Sequence, residues 1–121
     1  MSKKILIIED EKPIAHAMEL KLKKAGFDAQ IAINGEEAIK LLEEDNFDLA
    51  LLDLVMPRMD GFGVLEEVKN KKIKIKIMVT SNLSQIDDIK KAKDLGAVDF
   101  LIKSDTSIFE IVDKVKSILG Q

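Results

Sequence analysis

Three acids and one lysine are the residues in this sequence best suited to chemistry. Glu9 and Asp10 follow the apolar run ILII (5–8), Asp53 closes DLALLD, Lys103 closes VDFLIK, and Thr80 and Ser81 follow IKIMV (75–79). Two carboxylates about 5 Å apart repel by roughly 3 kcal/mol at an effective dielectric near 20, and a single ammonium cannot offset three of them. A hard divalent cation can. Magnesium favours oxygen ligands, keeps several waters and commonly takes one or two carboxylates together with phosphate oxygens. There is no cysteine to favour a softer metal, and the only histidine, His16, falls within a helical stretch and reads as a surface residue. An aspartate that is not consumed in holding a metal can attack phosphorus and form an acyl phosphate, provided metal, ammonium and hydroxyl donors stabilise the charge. Asp53, a bound magnesium, Lys103 and Thr80 would supply that set.

These residues converge only if the elements before them share a direction. Five short apolar runs, ILII (5–8), AQIAI (29–33), LALL (49–52), IKIMV (75–79) and VDFLI (98–102), alternate with stretches of helical period. Ile14, Ala17, Met18, Leu22 and Ala25 mark one helix face, stopped by Gly26. Ala38, Ile39 and Leu42 mark a second, entered through Asn34 and Gly35; Val64, Leu65 and Val68 a short third; Ile86, Ile89 and Ala92 a fourth ending near Gly96. Ser107 with Glu110 makes a capping box for the fifth, whose face is Ile108, Ile111, Val112, Val115, Ile118 and Leu119. Strict β-α alternation with near-continuous apolar strands implies an α/β fold, a parallel sheet covered by helices on both sides. In such a sheet every strand's carboxyl end points to one edge, where ligands bind. Four of the five strands deliver a polar residue there; the second ends blandly at Asn34, as an edge strand would. With strands about 4.8 Å apart, Glu9, Asp10 and Asp53 should crowd together, with Lys103 reaching across.

The composition narrows the classes of function. The 121 residues suit one domain, 46% hydrophobic and 34% charged, as in ordinary globular proteins. A net charge of -3, from 19 basic and 22 acidic residues, gives no global field for nucleic acid. The lysine-rich KNKKIKIK (69–76) is a local exception that reads as a solvated helix end and loop, since no aromatic residues interleave with it. Only four apolar residues precede the first acids, too few for a signal peptide or membrane span. The expected location is the cytoplasm.

The motifs ILIIEDE, LLDLVMPRMDG, MVTS and DFLIK, in this order across essentially the whole chain, resemble the receiver domain of two-component response regulators, the CheY-like family. The resemblance implies a flavodoxin-like three-layer sandwich with strand order 2-1-3-4-5 and five helices, and one receiver unit over residues 1–121. It implies Asp53 as phosphoacceptor, Asp10 as direct magnesium ligand with Glu9 assisting, and the Val55 backbone carbonyl completing the protein's share of the metal shell. Lys103 would pair with the phosphoryl group, Thr80 would move to bond it, and Phe100 stands at the aromatic switch position, though plain core packing accounts for it equally well. The implied partners are a sensor histidine kinase or phosphotransfer protein and a downstream protein bound through the face of the fourth helix, fifth strand and fifth helix. Monomer or weak phosphorylation-dependent dimer is expected. No DNA-binding region is expected after Leu119, so this chain alone should not regulate transcription directly; neither direct nucleic-acid nor membrane contact is expected.

Glu9 stands where aspartate is also common, and its longer side chain still reaches a metal-bound water. Ser104 replaces a proline that often follows a cis bond, and a cis bond before a non-proline residue costs about 3 kcal/mol. Val55 and Asn82 occupy positions that tune access of the hydrolytic water. The rival enzyme class is a small magnesium-dependent phosphohydrolase that also forms an aspartyl phosphate; such enzymes commonly carry an aspartate two residues past the nucleophile, where this chain has Val55. A flavin carrier would need a phosphate cradle after the first strand, but EDEKP (9–13) would repel phosphate. A degenerate receiver unable to accept phosphate is disfavoured by the intact acids.

Overall fold

The apolar runs form five parallel strands, and each helical stretch forms a helix that returns the chain across the sheet. The computed structural model describes residues 2–82, 86–103 and 106–120. In chain order the elements are β1 (Lys4–Ile8), α1 (Lys12–Lys24), β2 (Asp28–Ala32), α2 (Gly35–Glu44), β3 (Leu49–Leu52), α3 (Gly61–Asn70), β4 (Lys76–Ser81), α4 (Ile86–Asp94), β5 (Asp99–Ile102) and α5 (Ile108–Leu119). The strand order is β2-β1-β3-β4-β5 and all pairs are parallel. The doubly wound sandwich expected from the sequence is therefore present, with β2 on an edge.

The period-2 alternation of the strands divides the core between two layers. Leu6, Ile8, Ala50, Leu52, Ile77 and Val79 face the side covered by α2, α3 and α4. Ile5, Ile7, Leu49, Leu51 and Met78 face α1 and α5. Both faces of the central strands are covered, so β3 is buried throughout, whereas every residue of the edge strand β5 stays half-exposed.

Three details differ from the sequence reading. β4 starts at Lys76, one residue past Ile75, and runs to Ser81. On α1, Ile14, Met18 and Leu22, with Ala25 at its end, face the core as expected, but Ala15 is fully buried there while Ala17 is only half-buried. Ile86, placed with Ile89 and Ala92 on a buried face, is 81% exposed, and Ala92 is the one buried residue of α4. Ile86 begins α4 above the carboxyl edge of the sheet, past the strand residues on which Ala92 packs.

Side chains close the helix starts. Asn34 Oδ1 accepts from the Glu37 N–H at 2.8 Å, and Asp60 Oδ1 from the Gly63 N–H at 2.9 Å. At α5, Ser107 Oγ accepts from the Glu110 N–H at 3.2 Å, and the Glu110 carboxylate takes the Ser107 hydroxyl at 3.3 Å. Among the described residues no helix is long and apolar enough to cross a membrane. The Lys103–Ser104 peptide lies outside the described residues.

Candidate functional site

The site is built where β1 and β3 diverge, at the point where the strand order reverses, which is where open parallel sheets bind ligands. The hydrogen-bond ladder extends one residue past β1 and β3: Glu9 N–H donates to the Ala32 carbonyl and Asp53 N–H to the Ile8 carbonyl, each at 3.0 Å. This fixes both acids side by side. Carboxylate oxygens of Glu9, Asp10 and Asp53 lie within 4.8 Å of one another. Lys103, just after β5, brings its Nζ to 2.5 Å from Glu9 Oε1 and donates to Asp53 Oδ2 at 3.2 Å.

Glu9 is 1% exposed. The Glu11 N–H donates to its Oε2 at 3.2 Å. Its Oε1 is held by the Lys103 ammonium and by no other group among the described residues. Burial raises the Glu9 carboxyl, Lys103 draws it back and the neighbouring Asp53 charge raises it, leaving it at about 7. Burial pulls the Lys103 ammonium down, but the contact with Glu9 and the charges of Asp53 and Glu9 outweigh it, leaving the net shift upward. Lys103 thus remains a cation at neutral pH, and the acid cluster keeps an excess of negative charge.

Three convergent acids against one lysine and an all-oxygen donor set suit a hard divalent cation, and magnesium fits by size and chemistry. Glu9, Asp10 and Asp53 could hold it.

A cleft of about 260 Å³ opens over the cluster, lined by Asp10, Glu11, Asp53, Val55, Ser81, Asn82 and Lys103. Val55 is exposed at its rim, and its N–H donates to Asp53 Oδ1 at 3.4 Å. A profile of the response regulator receiver domain matches residues 5–116. The chain belongs to the response regulator receiver domain family. The fold of this receiver domain is shared with a Francisella response regulator receiver domain (28% identity, TM-score 0.91, covering 97% of this chain and 96% of that one). It is shared likewise with a two-component response regulator from Clostridium difficile (27%, 0.91, covering 99% and 98%). The response regulator TrrA of Thermotoga maritima, solved in complex with Mg(2+)-BeF, is 32% identical with a TM-score of 0.84, covering 96% of this chain and 98% of that one.

Of the residues singled out from the sequence of this receiver domain, Glu9, Asp10, Asp53 and Lys103 come together. Thr80 is buried at the end of β4, the strand paired with β3, but it does not line the cleft; its neighbour Ser81 does. Phe100 lies on β5, half-buried against the α2–α4 layer and away from the cleft. His16 is on the surface, 3.7 Å from Glu19.

The sequence reading missed the supports. Glu11 contributes its backbone N–H to Glu9, a role that no side-chain type announces. Gly61 lies so close to the reactive strand that a Cβ there would sit 2.6 Å from the Asp53 carbonyl oxygen. Gly35 meets the same loop from the α2 side, its would-be Cβ 2.3 Å from the Met59 carbonyl oxygen. These two glycines let the loop after Asp53 pack flat between α2 and β3. The Asp60-Gly61 pair was the available signal, readable as a turn but not as a close approach.

Proposed function

We propose that this receiver domain, spanning residues 1–121, is a phosphorylation switch whose phosphoacceptor is Asp53. The observation that carries the reading is the Glu9–Asp10–Asp53 cluster, with Glu9 and Asp53 buried and Lys103 bridging them. Asp10 would hold magnesium directly, with Glu9 assisting, and the Val55 carbonyl would complete the protein's share. Bound there, the metal would offset the acids' charge and that of incoming phosphoryl oxygens.

The partner presents phosphohistidine. An Asp53 carboxylate oxygen attacks phosphorus, the P–N bond breaks, and the imidazole nitrogen leaves with the bonding electrons. Lys103 and Thr80 stabilise charge on the phosphoryl oxygens. Water later cleaves the acyl phosphate and returns Asp53 and inorganic phosphate, so the domain catalyses only its own phosphorylation and dephosphorylation.

The new dianion draws Thr80 and Lys103 toward it, and Phe100 follows the space that Thr80 vacates. The layer that must respond is the thinly packed one: β5 is half-exposed throughout and α4 buries only Ala92. Exposed Ile86 and Phe109 give the α4, β5 and α5 face an apolar surface for a downstream protein. The domain works in the cytoplasm, as a monomer or a weak dimer that depends on phosphorylation.

Incubation with acetyl phosphate and magnesium, followed by intact mass, tests the reading. One phosphoryl group is expected on the parent chain and none on Asp53→Asn. Many turnovers on a generic phosphate ester would instead favour a phosphohydrolase.

A further inference from the structure

The lysine-rich stretch KNKKIKIK has no part in the phosphoryl site. It lies at the other end of the sheet, removed by the length of β4, roughly 20 Å. There the end of α3, the loop into β4 and the end of α4 enclose an open groove of about 420 Å³. Its floor is apolar, formed by Val68, Ile73, Ile75, Ile77 and Leu95. Its rim carries Lys69, Lys72 and Lys74, against a single acid, Asp94. A second depression of about 220 Å³ shares Ile73, Lys74 and Ile75 and continues the groove to Leu42 and Phe47. The acid on that extension, Asp45, is already paired with Lys4.

Five lysines and no acid fall between positions 69 and 76, in a chain whose net charge is -3. Two are engaged: Lys71 pairs with Glu43 at 3.5 Å, and Lys76 donates to the Ile118 carbonyl at 3.3 Å. The three on the rim make no ion pair or side-chain hydrogen bond among the described residues. Backbone geometry adds a second observation. After α1, α4 and α5 the chain turns through Gly26, Gly96 and Gly120 at positive φ, whereas after α3 the same region is occupied by Lys72 at φ 55°. A cationic side chain stands on the groove where glycine would be the unstrained choice.

An apolar floor alone would accept any hydrophobic segment. The rim selects by charge, repelling cationic segments and favouring one with carboxylates beside its apolar side chains. We propose that this groove docks an acidic amphipathic peptide segment of a partner protein. Its apolar side chains would seat on Val68, Ile73 and Leu95, and its carboxylates would meet Lys69, Lys72 and Lys74.

A fluorescein-labelled peptide of leucine-glutamate repeats, titrated at low and high salt, provides the test. Anisotropy should show binding that weakens with salt, and amide shifts on the isotope-labelled full chain should concentrate at 68–77 and 94–96. Lys72→Glu with Lys74→Glu should weaken binding about tenfold or more, and Leu95→Gln should weaken it independently of salt. Lys21→Glu with Lys24→Glu on α1 should change nothing, with circular dichroism checking that each variant is folded. No binding, shifts centred elsewhere, or equal affinity for a leucine-lysine peptide would overturn the proposal. So would an oligonucleotide binding the same residues as tightly, which would make the groove a general anion patch.

Discussion

At the amino-terminal end of β1 the Lys4 ammonium meets Asp45 in the open, while at the carboxyl end of the same sheet Lys103 meets Glu9 and Asp53 largely out of water. The groups are chemically alike, yet they respond in opposite directions. The hydrogen bond from Lys4 lowers the Asp45 carboxyl below its ordinary value, and burial there counts for little. Glu9 has a lysine just as near, but its own burial dominates and raises it to about 7. An exposed pair satisfies its charges with help from solvent; a buried cluster with more acids than bases retains an excess that only another cation or a proton can neutralise. The difference teaches that the site's reactivity comes from where the charges are held rather than from which residues supply them.

Removing a lysine from each end should give the widest contrast. Lys103→Ala should slow acyl phosphate formation from acetyl phosphate by about 10²-fold or more, the usual effect of deleting one preorganised donor to a developing charge. Lys4→Ala should leave the rate within a factor of about two, as expected of an exposed pair. Time-resolved intact mass reads both, and similar losses from the two variants would break the comparison.

The next effect is on stability. Because the folded pKa of Glu9 lies above its unfolded value of 4.5, the native state is penalised as pH rises from about 4.5 toward 7, fully so above 7, and not at all well below 4.5. Glu9→Gln should therefore stabilise the metal-free protein by about 2–3 kcal/mol at pH 8, an advantage that vanishes at low pH. Excess magnesium should erase it by binding the parent more tightly. Denaturant melts across pH, with and without metal, measure this; a variant less stable than the parent at pH 8 without metal would contradict it.

Asp45→Asn should have the smallest effect. Its lowered pKa means that the pair with Lys4 stabilises above the unfolded Asp value of 3.8 and that this is lost as pH falls through the folded value. Since the group is exposed, a slight loss at neutral pH, screened by salt, is expected in the same melts. A change as large as that from Glu9→Gln at pH 8 would remove the distinction between the two ends.

Much of this contrast could be read in advance. The five apolar runs, the capping box at Ser107 and the convergence of Glu9, Asp10, Asp53 and Lys103 follow from local pattern, because parallel strands must share one carboxyl edge. Strand order does not follow from periodicity, since pairing partners leave no local mark; it came from the family resemblance. The facing of Ile86 was misread because a short helix constrains its rotation only through the partner it packs on, and Ala17 because Ala15 shares the border of the same face. The depth of Glu9's burial and the close approaches of Gly35 and Gly61 depend on three-dimensional fit, which residue type does not encode.

The most direct measurement is chemical trapping of the acyl phosphate. After treatment with acetyl phosphate and magnesium, borohydride reduction and peptide sequencing by mass spectrometry should find homoserine at position 53, with glutamate unchanged at 9 and aspartate unchanged at 10. Homoserine at position 10, or the unreduced side chain at 53 in a chain that carries the added phosphoryl mass, would contradict the assignment of Asp53 as the acceptor.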